Sequence, residues 1–409
     1  MARAAGALGD TGTDARRRLS GAGTTSPPAV YRDMRVGIVI ASVLALGAAG
    51  AGGAVPARPP EPLAPLRGPA PDVAAHVRIL AAGAGGPAFI LDLDRGAVRP
   101  LDGLGPLRGA PPTLLGPYTL VLGAADGGVL VGVSRQACGG CATQTALTLV
   151  GRRGAVRAIA TVTMRGGDAI VPAYGRAAVW LLRRPRGGAC TLALVPGVAP
   201  ATAVPCGRPL AATSAGVWIA SAHAVRIVEP RNGRVRASLG VAAPTPASAT
   251  VAEVHPLDGS LALVRTGPNW AGSSGAQRGR LRLVDLASGA SRALAQPSWF
   301  GDLIHVLAQP HGSLVAVDFG SPAYPGPAQA EDLWILDTRS GRLTHVPGYP
   351  ARVDIKFSDL AWTTDGRLVI VAQGGGRTVA ALWRAGARTL PMRRVPAEHG
   401  YTQLAVLAS

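Results

Sequence analysis

Seven times along this chain a short apolar segment ends at a glycine-marked turn, and a second segment of the same kind runs away from it. The glycines are Gly96, Gly154, Gly197, Gly233, Gly289, Gly341 and Gly386, in contexts such as FILDLDRGAVRPL, LRLVDLASGASRAL and LWILDTRSGRLTHV. Their mean spacing is roughly 48 residues, and hairpins recurring every ~40–50 residues are the mark of propeller blades. Such a repeat restricts the chain to a ring of small sheets and excludes most two-layer folds. The 409 residues then divide into one repeating domain rather than several independent ones, because residues 72–409 suffice for seven blades. No amphipathic helical stretch stands out in that region. Short Val/Leu/Ala runs punctuated by Gly and Pro dominate it, the pattern of an all-β domain.

Extending each turn outwards yields four strands per blade, called A to D from the axis. Blade seven reads FSDLAW, the turn Thr363–Gly366, RLVIVAQ, VAALWRA and RTLPMRRV. Blade six reads LIHVLAQ, turn PHGS, LVAVDFG, DLWILDT and RLTHV. Blade five reads VAEVHP, turn LDGS, LALVRTG, RLRLVDL and SRALAQ, and blade two opens with YTLVLGA and the turn ADGG. Asp-Gly and His-Gly pairs at these turns supply the left-handed backbone that a tight hairpin needs. Blade one has room for only three strands, HVRILAA and PAFILDL before Gly96 and AVRPL after it. Beyond blade seven, Tyr401–Ala408 (YTQLAVLA) is left over and reads as an A strand. Placed innermost in blade one, it closes the ring and removes an open edge. The expected fold is therefore an all-β, seven-bladed propeller over residues 72–409, closed by its C-terminal strand.

Residues Val36–Val55 (VGIVIASVLALGAAGAGGAV) run without a charge over about 20 residues, the length that crosses a bilayer as a helix. Residues 1–35 ahead of them form a basic tail, with Arg32 and Arg35 next to the stretch, which predicts a cytoplasmic N-terminus and an exported propeller. Residues 56–71 form a Pro-rich linker suited to an extended spacer. The alternative is a cleaved signal peptide, with Ala49-Gly50-Ala51 as the small-residue site and a secreted product. Either way the propeller is extracytoplasmic, anchored by a single-pass transmembrane helix in the leading reading.

The cysteines agree with export. Cys190 and Cys206 flank one hairpin, and Cys138 and Cys141 stand in RQACGGCATQ. An even count in an exported chain favours two disulfides, Cys138–Cys141 and Cys190–Cys206. A redox role for Cys138-Gly-Gly-Cys141 would need a helix N-terminus to lower the thiol pKa, and none is expected here.

The net charge of +18 comes from arginine, with Lys356 the single lysine. The arginines are scattered, often beside turn glycines, so no nucleic-acid groove is expected. Contact with an anionic surface, such as envelope polymer or lipid headgroups, stays open on electrostatic grounds.

With the repeated D-G-R/S-L after strand A and D-x-x-S/T-G after strand C, the chain resembles exported β-propellers with degenerate WD-type or TolB-like blades. The GH and WD dipeptides of the strict WD repeat are absent. The resemblance implies a rigid scaffold, often used for binding, and leaves activity open.

In a four-stranded blade the B–C and D–A connections emerge together. Here they include GPNWAGSSGAQRG, GSPAYPGPAQAED, PSWFGD and PGYPARVD. Trp270, Trp299, Phe300, Tyr324 and Tyr349 are therefore the candidate ligand- or partner-binding residues, expected on one rim over blades five to seven. The opposing reading is that these rings fold back onto their own loops. Acidic residues recur near the start of strand A, at Asp168, Glu253, Asp302 and Asp359. They could ring the channel and hold a cation, or bond to loop amides as turn carboxylates do; the second is preferred. The histidines show no ligand spacing, so no metal and no cofactor is expected. Gly272-Ser273-Ser274-Gly275 lies in a loop rather than at a nucleophile elbow, and no catalytic residue can be named. The leading expectation is a monomeric binding or scaffold module for a protein or cell-envelope component. The alternative is an exported propeller hydrolase or lyase acting on glycan or peptide, which would need facing carboxylates in a cleft.

Overall fold

The computed structural model describes residues 77–82, 88–104, 115–136, 141–185, 187–241, 250–268, 279–298, 302–322, 329–347, 349, 352–374, 377–390, 392–395 and 403–408. They form twenty-eight strands. Blade one holds β1 (Arg78–Ala82), β2 (Ala88–Asp92) and β3 (Ala97–Pro100). Blade two holds β4 (Leu115–Ala125), β5 (Gly128–Gln136), β6 (Thr143–Gly151) and β7 (Val156–Met164). Blade three holds β8 (Ala169–Pro172), β9 (Val179–Arg183), β10 (Cys190–Val195) and β11 (Thr202–Val204). Blade four holds β12 (Arg208–Thr213), β13 (Gly216–Ala220), β14 (Ala224–Val228) and β15 (Val235–Gly240). Blade five holds β16 (Thr250–Pro256), β17 (Leu261–Pro268), β18 (Arg280–Asp285) and β19 (Ser291–Leu294). Blade six holds β20 (Asp302–Ala308), β21 (Leu314–Pro322), β22 (Gln329–Asp337) and β23 (Arg342–His345). Blade seven holds β24 (Arg352–Trp362), β25 (Leu368–Gly374), β26 (Arg377–Trp383) and β27 (Met392–Val395). The last strand is β28 (Gln403–Ala408).

The expected closure is present. Strand β28 pairs antiparallel with β1, Leu80 opposite Ala405 and Ala82 opposite Gln403, and the sheet order is β28-β1-β2-β3. Blade one is thus completed by the far end of the chain. Asp359 on β24 seals the joint: its Oδ2 accepts a hydrogen bond from the Leu404 amide at 2.6 Å. On the other side, the Val121 amide of blade two donates to Gln403 Oε1.

Successive residues of a strand point to opposite faces, and here both faces are apolar. On β1, Ile79 and Ala81 pack toward blade seven while Leu80 and Ala82 pack toward blade two. The same split recurs round the ring and gives seven apolar clusters, one at each boundary between blades. That is why the B strands read as unbroken apolar runs rather than alternating ones.

All seven marker glycines lie in C–D turns. Six adopt positive φ, from 63° at Gly96 to 84° at Gly154. Gly197 does not; there the chain turns after a cis Val195–Pro196 bond. Several of these turns also accept the neighbouring blade. Arg99 Nη2 donates to Arg153 O at 3.0 Å, Thr202 Oγ1 to Arg231 O at 3.5 Å, and Arg292 Nη1 to Arg339 O at 2.9 Å. These ties join blades one to two, three to four and five to six. The A–B turns tie blade four to five through Thr213 Oγ1 and Gly259 O at 2.6 Å, and six to seven through Gln309 Nε2 and Gly366 O at 3.2 Å.

Blade three departs from the others. Its outer strand β11 is three residues long, and the Cys190–Cys206 disulfide, with Cα atoms 5.0 Å apart, staples it. Cys141 is disulfide-bonded too; its expected partner Cys138 lies outside the described residues. So do Val36–Val55, and among the described residues no helix is long and apolar enough to cross a membrane.

Two predictions follow from this architecture. Deleting Tyr401–Ser409 should abolish the cooperative thermal transition; a truncated chain melting as the full one does would refute closure by β28. Gly289→Ala meets nothing within 4 Å and should cost about 1–2 kcal/mol, the strain of a left-handed L-residue. Gly233→Ala would place a methyl 2.0 Å from Ala203 O and should cost about 1–3 kcal/mol more through overpacking, read from urea midpoints.

Candidate functional site

The topology sorts the connections into two faces. The A–B and C–D turns leave from one, called here the turn face, and the B–C and D–A connections from the other, the loop face. The three longest connections, Pro100 to Leu115, Gly240 to Thr250 and Pro268 to Arg280, all belong to the loop face.

Just beneath the loop face, the boundaries on either side of blade six depart from the apolar rule. The fifth residue of strand β17 is Arg265 and the fifth of β21 is Asp318, each in the middle of an apolar run and each 1% exposed. Arg265 faces blade six. Its Nη1 lies 3.0 Å from Glu253 Oε1 on the neighbouring strand β16, and His255 Nε2 lies 3.8 Å from the other oxygen. Burial pushes the Glu253 carboxyl up. His255, Arg265 and the Leu303 amide outweigh it and hold the group below its usual value.

Asp318 faces the other way, toward blade seven. Its cross-strand neighbours are His305 on β20 and Leu333 on β22. Burial first, then the charges of Glu331, Asp332 and Asp359, push its carboxyl well above the ordinary range. The Asp332 amide acts in the opposite sense, but neither oxygen meets a partner with hydrogen-bond geometry. Burial without a partner favours the neutral form of such a carboxyl.

Strand β22 grips both neighbouring links. Glu331, 0% exposed, turns toward blade seven, where the Tyr349 hydroxyl donates to its Oε2 at 3.1 Å. Asp332 turns toward blade five, and His345 Nε2 on the neighbouring strand β23 of blade six lies 3.0 Å from its Oδ1. Burial raises the Asp332 carboxyl, while His345, Ser298 and Trp334 together bring it below its usual value. Ser298 belongs to the link between blades five and six, and Tyr349 to the link between six and seven. Two adjacent acids therefore tether the two connections that flank blade six. The top of β22 also pairs with β24, Glu331 opposite Arg352, which joins blades six and seven in one eight-stranded sheet.

Of the five candidate aromatics, Trp270, Trp299, Phe300 and Tyr324 lie outside the described residues. Tyr349 is 3% exposed and folds inward onto Glu331. Of the strand-A acids, Asp168 accepts from the Arg165 and Arg184 amides at 3.0 and 3.1 Å. Asp359 accepts from the Leu360 and Leu404 amides, and Glu253 pairs with Arg265. The Asp302 side chain lies outside the described residues. The described carboxylates are thus committed to backbone amides or to Arg265, the arrangement expected of turn and link carboxylates, and among the described residues no group of His, Cys, Asp or Glu is placed to hold a metal ion. Asp318, Glu331, Arg265 and Ser298 were not anticipated. The charges within LVAVDFG and LALVRTG were the available signal, since a strand covered on both faces has no solvent side for a charge.

No family model matches the chain, and no curated protein matches it. Solved propeller structures do. A chain of a mitotic checkpoint complex structure is 16% identical, with 84% of this chain and 100% of that one covered and a TM-score of 0.44. A putative 6-phosphogluconolactonase from Bacteroides uniformis is 12% identical, with 81% and 100% covered and a TM-score of 0.43. The Dos1 propeller is 13% identical, with 76% and 69% covered and a TM-score of 0.28. The likeness is one of fold alone.

The buried carboxyl of Asp318 makes stability depend on pH in a stated direction. Its folded pKa lies above the unfolded value of about 4, so the native state holds a proton that the unfolded chain has released. Stability from this group is present below pH ~4 and is lost as pH rises through the folded pKa. Asp318→Asn should therefore raise the melting temperature relative to the parent at pH 8 and change it little at pH 4.5. An equal shift at both values would show that Asp318 is ionised in the fold.

Proposed function

We propose that this chain is an extracytoplasmic propeller, held at the membrane by Val36–Val55 and the Pro-rich residues 56–71, that binds a protein or cell-envelope component through its loop face. The observation that carries this reading is the asymmetry of the ring. The long connections all leave from one face, and the two links flanking blade six are tethered from below by Glu331 and Asp332. Binding surfaces are commonly built in this way, as variable loops fixed on a rigid frame. The Cys190–Cys206 disulfide supports an oxidising compartment.

Asp318 and Glu331 are the closest the structure comes to the facing carboxylates a glycan hydrolase or lyase requires. They are buried between blades at 1% and 0% exposure, out of reach of a substrate in solvent. Their chemistry serves the frame, and the binding reading is the stronger one.

Proximity labelling from a tag on the C-terminus of the full chain should first identify the neighbours. Replacing Trp270, Trp299 and Tyr324 together with alanine should then weaken capture of the identified partner at least tenfold, with the melting temperature unchanged. Undiminished capture would remove the loop face from the proposal.

A further inference from the structure

The turn face carries an excess of arginine around its periphery. Each C–D turn leaves its blade at the outer edge, and in five blades the turn presents an exposed arginine: Arg95, Arg153, Arg231, Arg339 and Arg384. Backbone atoms of the first four take part in hydrogen bonds, but none of the five guanidinium groups has a partner among the described residues. The acids that end the C strands are already committed. Asp285 and Asp337 accept from turn amides and from Ser288 and Ser340, and Glu229 pairs with Arg234 and Arg236. Other acids on this face include Asp94, in the C–D turn of blade one, and Asp126, Asp258 and Asp365 in the A–B turns, closer to the axis. Acids thus stand at both the outer C–D turns and the inner A–B turns, and the exposed turn arginines of these five blades stand outside.

The D strands show the same bias. Six of the seven carry arginine and none carries an acid. On a strand this is accounted for by protection of an exposed edge. Turns have no edge to protect, so the turn arginines call for a different account.

The direction of the chain supplies a second observation. Arg78 lies opposite Ala408, at the end of β28 that faces the A–B turns. The described chain therefore enters the ring on the turn face, at Val77 and Arg78. Exposed arginines set round a perimeter, in the C–D turns of five of the seven blades, match a flat anionic surface. They do not form the continuous stripe that tracks a rod-shaped polyanion.

We propose that the turn face rests against an anionic lipid bilayer, with the C–D turn arginines contacting its headgroups and the loop face turned away. The orientation, though not the electrostatic contact, rests on the membrane-anchored reading above. Attraction of this kind acts within a Debye length, about 8 Å at physiological salt, and weakens as salt is added.

The test uses the full chain with vesicles of phosphatidylcholine, alone or mixed with phosphatidylglycerol, that carry a headgroup quencher. A dye is attached at Ala385→Cys in the blade-seven turn, or at Gly166→Cys on the loop face, where a side chain meets nothing within 4 Å. Quenching is expected at residue 385 on the anionic vesicles only, lost at high salt, and at least tenfold weaker when the five arginines become glutamine. Quenching at residue 166 instead, or at 385 regardless of lipid charge and of the arginines, would overturn the proposal. Binding of soluble polyphosphate without any response to vesicles would also overturn it and assign the ring to a free polyanion. Flotation reports separately on the anchor. A chain that floats with neutral vesicles but shows no charge-dependent quenching keeps the anchor and loses the arginine contact. One that floats only with anionic vesicles, with residue 385 quenched, keeps the contact and loses the anchor.

Discussion

The pairing of β28 with β1 is the contact on which the rest of the structure depends. A ring of sheets is stable only if every blade has two neighbours, and the chain has to return to its starting blade to provide the last one. Five pairs of facing residues close a circuit that spans almost the whole described sequence. The contact has a sequence separation of more than three hundred residues, so its loop-closure entropy has to be met before the apolar clusters at blades seven–one and one–two can form. Asp359 and Gln403 add side-chain-to-backbone bonds at that joint, where a slip of one residue would turn the apolar faces of β28 the wrong way.

Against the apolar side chains that fill the seven boundaries, the polar groups around blade six are exceptional. A buried pair such as Glu253 and Arg265 contributes little net stability beside a well-packed apolar substitute. What it does supply is position. Charged and hydrogen-bonding groups accept far fewer arrangements than methyl groups, so β22 can hold the links on either side of it at a defined height. The eight-stranded sheet formed by blades six and seven serves the same end through the backbone. This sector is the most constrained part of the ring, and it lies under the connections that carry most of the aromatic residues outside the strands.

Much of this was legible in the residues. The glycine turns and the Asp-Gly hairpins of blades five to seven are local chemistry, and the count of strands in blade one exposed the need for YTQLAVLA. Gly197 sits at the expected place but without the positive φ of the other six. Tyr349 was read as a rim residue from its place in a link, and nothing in PGYPARVD reveals Glu331 eighteen residues earlier as its partner. Arg265 and Asp318 were visible as charges but not as buried ones, since which blade a strand residue faces emerges only once the ring is closed. The ties from Arg99 and Arg292 to the next blade's turn are likewise non-local. A propeller's repeat is written in its turns, whereas the joints between repeats are written in pairs of residues that no short window contains.

The strand on which the described chain begins has a mechanical consequence. Strand β1 is an interior strand, bonded to β28 on one side and to β2 on the other. A pull transmitted through the residues before Val77 therefore enters blade one between two ladders and must break both together. An edge strand under the same tension would peel away one bond at a time. The seam of the ring is therefore also a place where force applied through the start of β1 is shared between two ladders.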